Sequence, residues 1–235
     1  MPLTETTREE CREIIARYPD SRSALGPMLH LVQSEEGYVS PDGIALCAEE
    51  LGLTTAEVAS VATFYTMYKR RPVGEHHIGI CVNPQCGLLG GNELWKQLTD
   101  SLGIGHNETT PDGKISIEHI ECQAACSNAP STTVDWEFMD DMTPEKLRDV
   151  VERLQNGEEV ISTRGPAIRS FCATERTIAG FDDGLAHAGG NCADEQMLAG
   201  LTVAKERGMI GAETNANPDK ASDPAANGSA RKGDK

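Results

Sequence analysis

Aromatic residues are scarce in this chain. Phe, Tyr and Trp make up 4% of its 235 residues, too few for a ring-lined pocket or a base-stacking platform. Positive charge is scarce as well: 21 Lys and Arg stand against 37 Asp and Glu, a formal net charge of −16. Such a surface repels nucleic-acid phosphates and anionic lipid heads, which excludes nucleic acid as a partner and favours proteins with basic patches. No apolar run approaches the roughly 18 residues a bilayer crossing needs, so no direct membrane insertion is expected. The opening MPLTETTREECREII places acids where a signal or transit peptide requires Lys or Arg, which predicts an intracellular chain. There is no C-x-x-C, no G-x-G-x-x-G following a strand and no internal repeat. Those absences exclude a thiol–disulfide active site and a dinucleotide site within the chain.

What is present divides into regions. Residues 1–72 read as a small helical domain. Thr6 and Thr7 stand three residues before Glu9 and Glu10, a capping-box spacing that opens a helix over Arg8–Tyr18. Leu25, Met28, Leu29 and Val32 recur at helical spacing within Ser23–Glu35. Ser40-Pro41 starts a third helix that ends at Gly52, and Thr54 with Glu57 starts a fourth running to about Tyr68. Residues 73–160 read as an α/β domain: a buried strand over His77–Val82, a helix over Gly91–Leu102, and strands around Ile115–Ile120 and Ser131–Trp136. A helix capped at Thr143-Pro144 then runs to Gly157. The predicted fold class is α+β, a helical bundle followed by a thioredoxin-like domain. Residues 161–210 carry weaker periodicity and many glycines, and read as an extension that orders against a partner. Residues 211–235 have no aliphatic residue larger than alanine and no aromatic, and read as a disordered tail.

The chemistry lies in the cysteines. Cys81-x₄-Cys86 and Cys122-x₃-Cys126 each follow a predicted strand. Loops at strand ends can turn four thiolates toward one centre, and four thiolates are the usual holders of iron–sulfur clusters. Gly87, Gly90 and Gly91 allow backbone to approach such a cluster. Structural zinc also takes four thiolates, but its pairs are normally C-x₂-C in tight knuckles. Unrelated free thiols are the other reading; two close pairs in one domain weigh against it. Cys11 and Cys47 lie on helical segments and read as core thiols, and Cys172 and Cys192 have no close partner. His119 lies three residues before Cys122 and reads as a strand-face histidine, since mixed His/Cys clusters use C-x-H pairs.

These residues resemble the thioredoxin-like [2Fe–2S] ferredoxin family, in the branch that serves NADH:quinone oxidoreductase, respiratory complex I. The resemblance rests on Cys81-x₄-Cys86 with its GLLGG, on Glu121-Cys122-x₃-Cys126-Ser-Asn-Ala-Pro130, on Thr63-Phe64-Tyr65 and on Asp140-Asp141-Met-Thr-Pro-Glu-Lys-Leu147. It spans about residues 10–160. It implies one [2Fe–2S] cluster on Cys81, Cys86, Cys122 and Cys126, with no catalytic residue in the chain itself. It also implies a partner flavoprotein subunit that holds FMN and takes hydride from NADH, further iron–sulfur subunits in a peripheral arm, and a position on the cytoplasmic side of a bacterial inner membrane. Similar subunits in NAD-linked formate dehydrogenases and bidirectional hydrogenases share the spacing. A free-standing ferredoxin dimer lacks the counterpart of residues 8–68. Two departures stand out: Ala124 where the family often has glycine, and Ser131 where it often has methionine. Glu121, Glu137, Asp140 and Asp141 lie near the cysteines in sequence, and uncompensated acids there would disfavour reduction.

Overall fold

The computed structural model describes residues 3–185 and 195–209. Helix α1 (Glu5–Ala16) begins one turn earlier than the predicted capping box. Thr4 is the cap: its hydroxyl accepts from the Thr7 amide at 3.3 Å, and the Thr7 hydroxyl accepts from the Thr4 amide at 3.1 Å. Two threonines thus close the box without Glu9 or Glu10. Helix α2 (Leu25–Glu36) ends at Gly37 in the left-handed conformation, φ 74°, where a Cβ would be strained. Helix α3 (Pro41–Leu51) starts on Ser40, and α4 (Thr55–Phe64) on the Thr54–Glu57 box, both as predicted. Close packing explains Gly43: a Cβ there would stand 2.3 Å from Val32. Ile14, Met28, Leu29, Leu46 and Val58 fill the bundle's core, with Cys11 and Cys47 among them as expected. Burial pushes the Cys11 thiol up to about 12, and raises Cys47 also.

Helix α4 stops at Phe64, short of the predicted Tyr68. The cause is Gln33, fully buried on α2. Its side-chain amide donates to Met67 O at 3.0 Å and accepts from the Lys69 amide at 2.5 Å. Those bonds hold residues 65–69 out of the helix.

The second half is a five-stranded sheet in the order β2–β3–β1–β4–β5. β1 (His76–Cys81) lies parallel to β3 (Ile115–Ile120) and antiparallel to β4 (Thr132–Val134). The edges are β2 (Glu108–Thr109) and β5 (Glu137–Met139). Between β1 and β2 come the single turn α5 (Pro84–Cys86) and α6 (Asn92–Leu102); α7 (Pro144–Gln155) follows β5. Period-two alternation splits the sheet's faces. Ile78, Ile80, Ile117 and Val134 pack under Leu94, Leu98, Leu147 and Leu154 of α6 and α7. The expected strand through Trp136 is instead a hairpin. Asp135 and Trp136 both adopt positive φ, 48° and 70°, the twist that a two-residue turn needs. Asp135 is held there by the His77 amide at 2.8 Å and by His76 Nδ1 at 2.6 Å.

The opposite sheet face buries charge. The Glu118 carboxylate pairs with Lys69 Nζ and lies 2.8 Å from His77 Nε2. Burial alone would raise its pKa, but His77 and Lys69 outweigh that and hold it down at about 2. A carboxylate held below its ordinary 4.5 stabilises the fold above pH 4.5 and loses that contribution as pH falls toward 2. The expected result for Glu118→Gln is a loss of about 3 kcal/mol at pH 7, because Lys69 stays buried without its counter-charge. Urea titrations of both proteins should converge as pH drops from 4.5 toward 2.

The segment predicted to order against a partner finds contacts in its own chain through residue 185. Helix α8 (Phe171–Ile178) lies along α2. Buried Glu175 stands 2.5 Å from His30 Nδ1 and accepts from Trp136 Nε1 at 2.6 Å, while Arg176 pairs with Glu10. Weak periodicity misled here because this helix is anchored by polar contacts more than by an apolar stripe. The described residues up to 185 belong to one compact unit and helix α9 (Glu195–Glu206) to a second. Cys192 and the tail 211–235 lie outside the described residues.

Candidate metal centre

The four cysteines of the two spaced pairs meet at one end of the sheet. β1 ends on Cys81, whose amide donates to Ser131 O at 3.3 Å. Extending the β1–β4 register beyond Ile80↔Thr132 sets Cys81 opposite Ser131. Pro84 starts the turn that carries Cys86, and Gly87 N–H closes it on Asn83 O at 2.7 Å. Gly87–Gly91 then forms a wide turn with Gly90 at φ 115°. A Cβ on Gly91 would stand 2.5 Å from Cys81 O and 2.9 Å from Cys86 O. Only a residue without a side chain lets α6 begin this close to both thiol-bearing segments.

The second pair follows β3. Cys122 and Cys126 approach to 3.7 Å between sulfurs, on a loop that leads through one 3₁₀ turn to a cis Ala129–Pro130 bond. Ala124, at its centre, has φ 57°, which explains why a glycine suits this position. Left-handed backbone costs an L-residue about 1–2 kcal/mol, part of which glycine gives back through its freer unfolded chain. Ala124→Gly is therefore expected to stabilise the protein by about 0.5–1 kcal/mol, read as a raised urea midpoint at unchanged slope.

The two pairs differ in setting. Cys81 and Cys86 are buried, whereas Cys122 and Cys126 are exposed. Burial pushes the Cys86 thiol up to about 11; the Ser131 amide works against this, and the Cys81 sulfur adds to it. The Cys126 thiol is raised by its hydrogen bond with Cys122. Ser131 thus touches the site through its backbone, by its amide at Cys86 and its carbonyl at Cys81. Among the described residues, no three His, Cys, Asp or Glu side chains converge as one metal ion requires. The thiols group two and two. That donor set suits a cluster of two irons, each iron taking one pair, better than a single tetrahedral ion.

The remaining candidates fall elsewhere. His119 pairs with Ile80 across the sheet, on the α6 face opposite Cys81, with its ring 3.8 Å from that of Trp95. Cys172 is half-buried and donates to Gln33 O at 3.9 Å. Of the nearby acids, Asp140 is not bare: Arg164 holds it at 2.8 and 3.1 Å while lying 3.8 Å above the Phe138 ring. The sequence reading missed Arg164 because it stands 24 positions away. Burial raises the Glu137 carboxyl, which favours its neutral form.

A family model described as thioredoxin-like [2Fe-2S] ferredoxin matches residues 11–155. An NADH-quinone oxidoreductase subunit of Mycobacterium tuberculosis is 48% identical over 200 residues, covering 85% of this chain and 79% of its own. NADH-quinone oxidoreductase subunit 2 of Thermus thermophilus is 38% identical over 163 residues, covering 68% of this chain and 90% of its own. A solved NAD⁺-reducing [NiFe]-hydrogenase aligns with a TM-score of 0.49 at 17% identity, over 55% of this chain and 22% of that one, a match too loose to argue from. With the family model covering more than half its length and close relatives along most of it, the chain belongs to the thioredoxin-like [2Fe–2S] ferredoxin family.

Proposed function

We propose that the chain holds one [2Fe–2S] cluster on Cys81, Cys86, Cys122 and Cys126 and serves NADH:quinone oxidoreductase as a one-electron carrier. The observation that carries this reading is the meeting of two cysteine pairs, one buried and one exposed, at the end of a sheet in a chain of this family. The cluster would supply one-electron storage. The chain's own groups do the rest: Gly91 admits the backbone closely, the Ser131 amide faces the Cys86 sulfur, and the exposed pair leaves a short path to the surface.

The electron's source would be FMN on a partner flavoprotein subunit, which also binds NADH, with the peripheral-arm iron–sulfur subunits as further neighbours. The assembly would sit on the cytoplasmic side of the bacterial inner membrane. Among the described residues no helix is long and apolar enough to cross a membrane, which is consistent with attachment through other subunits. A cluster held by four thiolates is already anionic, and Glu121 adds exposed negative charge near it, so reduction would require a strongly reducing flavin. Arg164 moderates that effect at Asp140.

The test is low-temperature EPR of anaerobically purified protein after dithionite reduction, with iron and zinc counted on the same sample. About two irons per chain and a rhombic S = ½ signal are expected. Zinc without iron would make this a structural module. Co-purification with a formate dehydrogenase or hydrogenase in place of quinone-reducing partners would reassign the host complex. A midpoint potential well above that of the NAD couple would overturn the low-potential part.

A further inference from the structure

The segment Phe64–Arg71 between bundle and sheet has a surface that the cluster does not explain. Phe64 is 77% exposed, Tyr65 51% and Met67 41%, a run of large apolar side chains facing solvent at the edge of the helical core. Phe64 and Tyr65 stack edge-on at 5.0 Å, and Tyr65 leans on Tyr68 at 6.2 Å, so the aromatic group is already ordered. Beside it opens a cavity of about 360 Å³, between this segment and the β2–β3 edge.

Charge around that cavity runs against the rest of the chain. Its walls include Lys69, Arg70 and Arg71, with Glu118 as the one acid. Glu118 is already taken by Lys69 and His77. Arg70 and Arg71 are exposed, and neither makes an ion pair or side-chain hydrogen bond among the described residues. In a chain with 37 acidic residues this is unusual: Arg8, Arg12, Arg17, Arg22, Arg164 and Arg176 each lie on a carboxylate. Two adjacent guanidinium groups left uncompensated, next to exposed Phe, Tyr and Met, match the composition of interface centres. Aromatic residues, Met and Arg are enriched there, and Tyr, Trp and Arg dominate the residues that carry binding energy. Complementarity then fixes the other side: a partner surface carrying carboxylates for the arginines and an apolar side chain for the aromatic run.

We propose that Phe64–Arg71 and the adjoining cavity form a docking site for an acidic segment of another subunit of the host complex. The inference rests on the electron-carrier reading above, since that reading supplies the complex. It does not involve the cluster itself.

The test uses the full chain, tagged and co-expressed with the flavoprotein and peripheral-arm subunits. The wild type should co-purify with them. Arg70→Glu/Arg71→Glu should reduce the retained partner at least tenfold at low salt, with iron content and circular dichroism unchanged. High salt should weaken the wild type toward the variant. Phe64→Ser tests the apolar half without altering charge and should also weaken retention. Replacing Met67 with the photo-crosslinker p-benzoylphenylalanine should capture a partner peptide containing Asp or Glu. Retention unchanged in both variants, or a captured peptide without acids, would overturn the proposal. ADP or pyrophosphate binding to the isolated full chain, lost in Arg70→Glu/Arg71→Glu, would assign the cavity to a small anion and overturn it as well. If the wild type fails to co-purify with any of these subunits while keeping its cluster, the electron-carrier reading falls first.

Discussion

Anaerobically purified Cys86→Ala and Cys126→Ala proteins are expected to lose the [2Fe–2S] cluster, with iron falling from about two per chain toward zero and no EPR signal on reduction. Cys11→Ala, Cys47→Ala and Cys172→Ala are expected to keep both irons. The contrast follows from position. Cys11 and Cys47 are enclosed in the helical core among Ile14, Met28 and Val58, whereas Cys81 and Cys86 pack in a separate cluster with Ile120. Cys172 points at a backbone carbonyl on α2. Cys81 at the end of β1, Cys86 on the turn after it, and Cys122 with Cys126 on the loop after β3 lie at one end of the sheet. With the proposed cluster bound, removing one thiolate would leave an iron with an open position, and Cys11 and Cys47 are buried in a different core. Iron analysis and EPR on the same preparations decide this, and retention of both irons in Cys86→Ala or Cys126→Ala would mean the ligand set is wrong. The side effects differ between the pairs. Cys86 is buried, so its truncation also removes core contacts and should lower stability of the metal-free protein. Cys126 is exposed, and its truncation should leave the metal-free protein near wild-type stability.

Much of this was legible in the sequence, for local reasons. Ser40-Pro41, Thr54 with Glu57, and Gly52 work within a single helical turn, and they hold where they were read. The placement of the two cysteine pairs beside the ends of β1 and β3 was legible too, because each pair directly follows or ends an apolar run that reads as a strand. What escaped depends on distant partners. The end of α4 is set by Gln33, which lies 34 positions from the carbonyl it holds at Met67. The Asp135–Trp136 turn lacks an Asn-Gly or Asp-Gly pair, and its conformation is held by contacts to His76, His77 and Glu175. Helix α8 docks through Glu175 and Arg176 onto residues more than 140 positions earlier. A charged residue reads as surface in a sequence, and nothing local marks Glu118 or Glu175 as buried. Only the fold, by bringing Lys69, His77, His30 and Trp136 around them, makes burial tolerable.

Gly91→Ala offers the sharpest discrimination between local propensity and tertiary contact, because the two predict opposite signs. Gly91 has φ −58° and ψ −35°, an ordinary helical conformation that alanine adopts freely. Helix propensity therefore predicts a gain approaching 1 kcal/mol. The space around it predicts the reverse. The added Cβ would meet Cys81 O at 2.5 Å, Cys86 O at 2.9 Å and Cys86 C at 3.1 Å, and all are backbone atoms that no rotamer change can move. Relief requires shifting the end of β1 or the Cys86 turn, and overpacking of this kind costs about 1–3 kcal/mol or more. The expected net result is a metal-free protein less stable than wild type by about 1 kcal/mol. Iron occupancy should fall with it, since the displaced segments carry one whole cysteine pair. Gly90→Ala separates the causes: its Cβ meets only Pro130 at 3.7 Å, but its φ of 115° is strained for alanine. That variant should be destabilised through backbone conformation while Cys81 and Cys86 stay in place, so its iron occupancy should hold. Stabilisation by Gly91→Ala in a urea titration would mean that α6 does not start against the Cys81 and Cys86 backbone, and the close approach assigned to this glycine would be wrong.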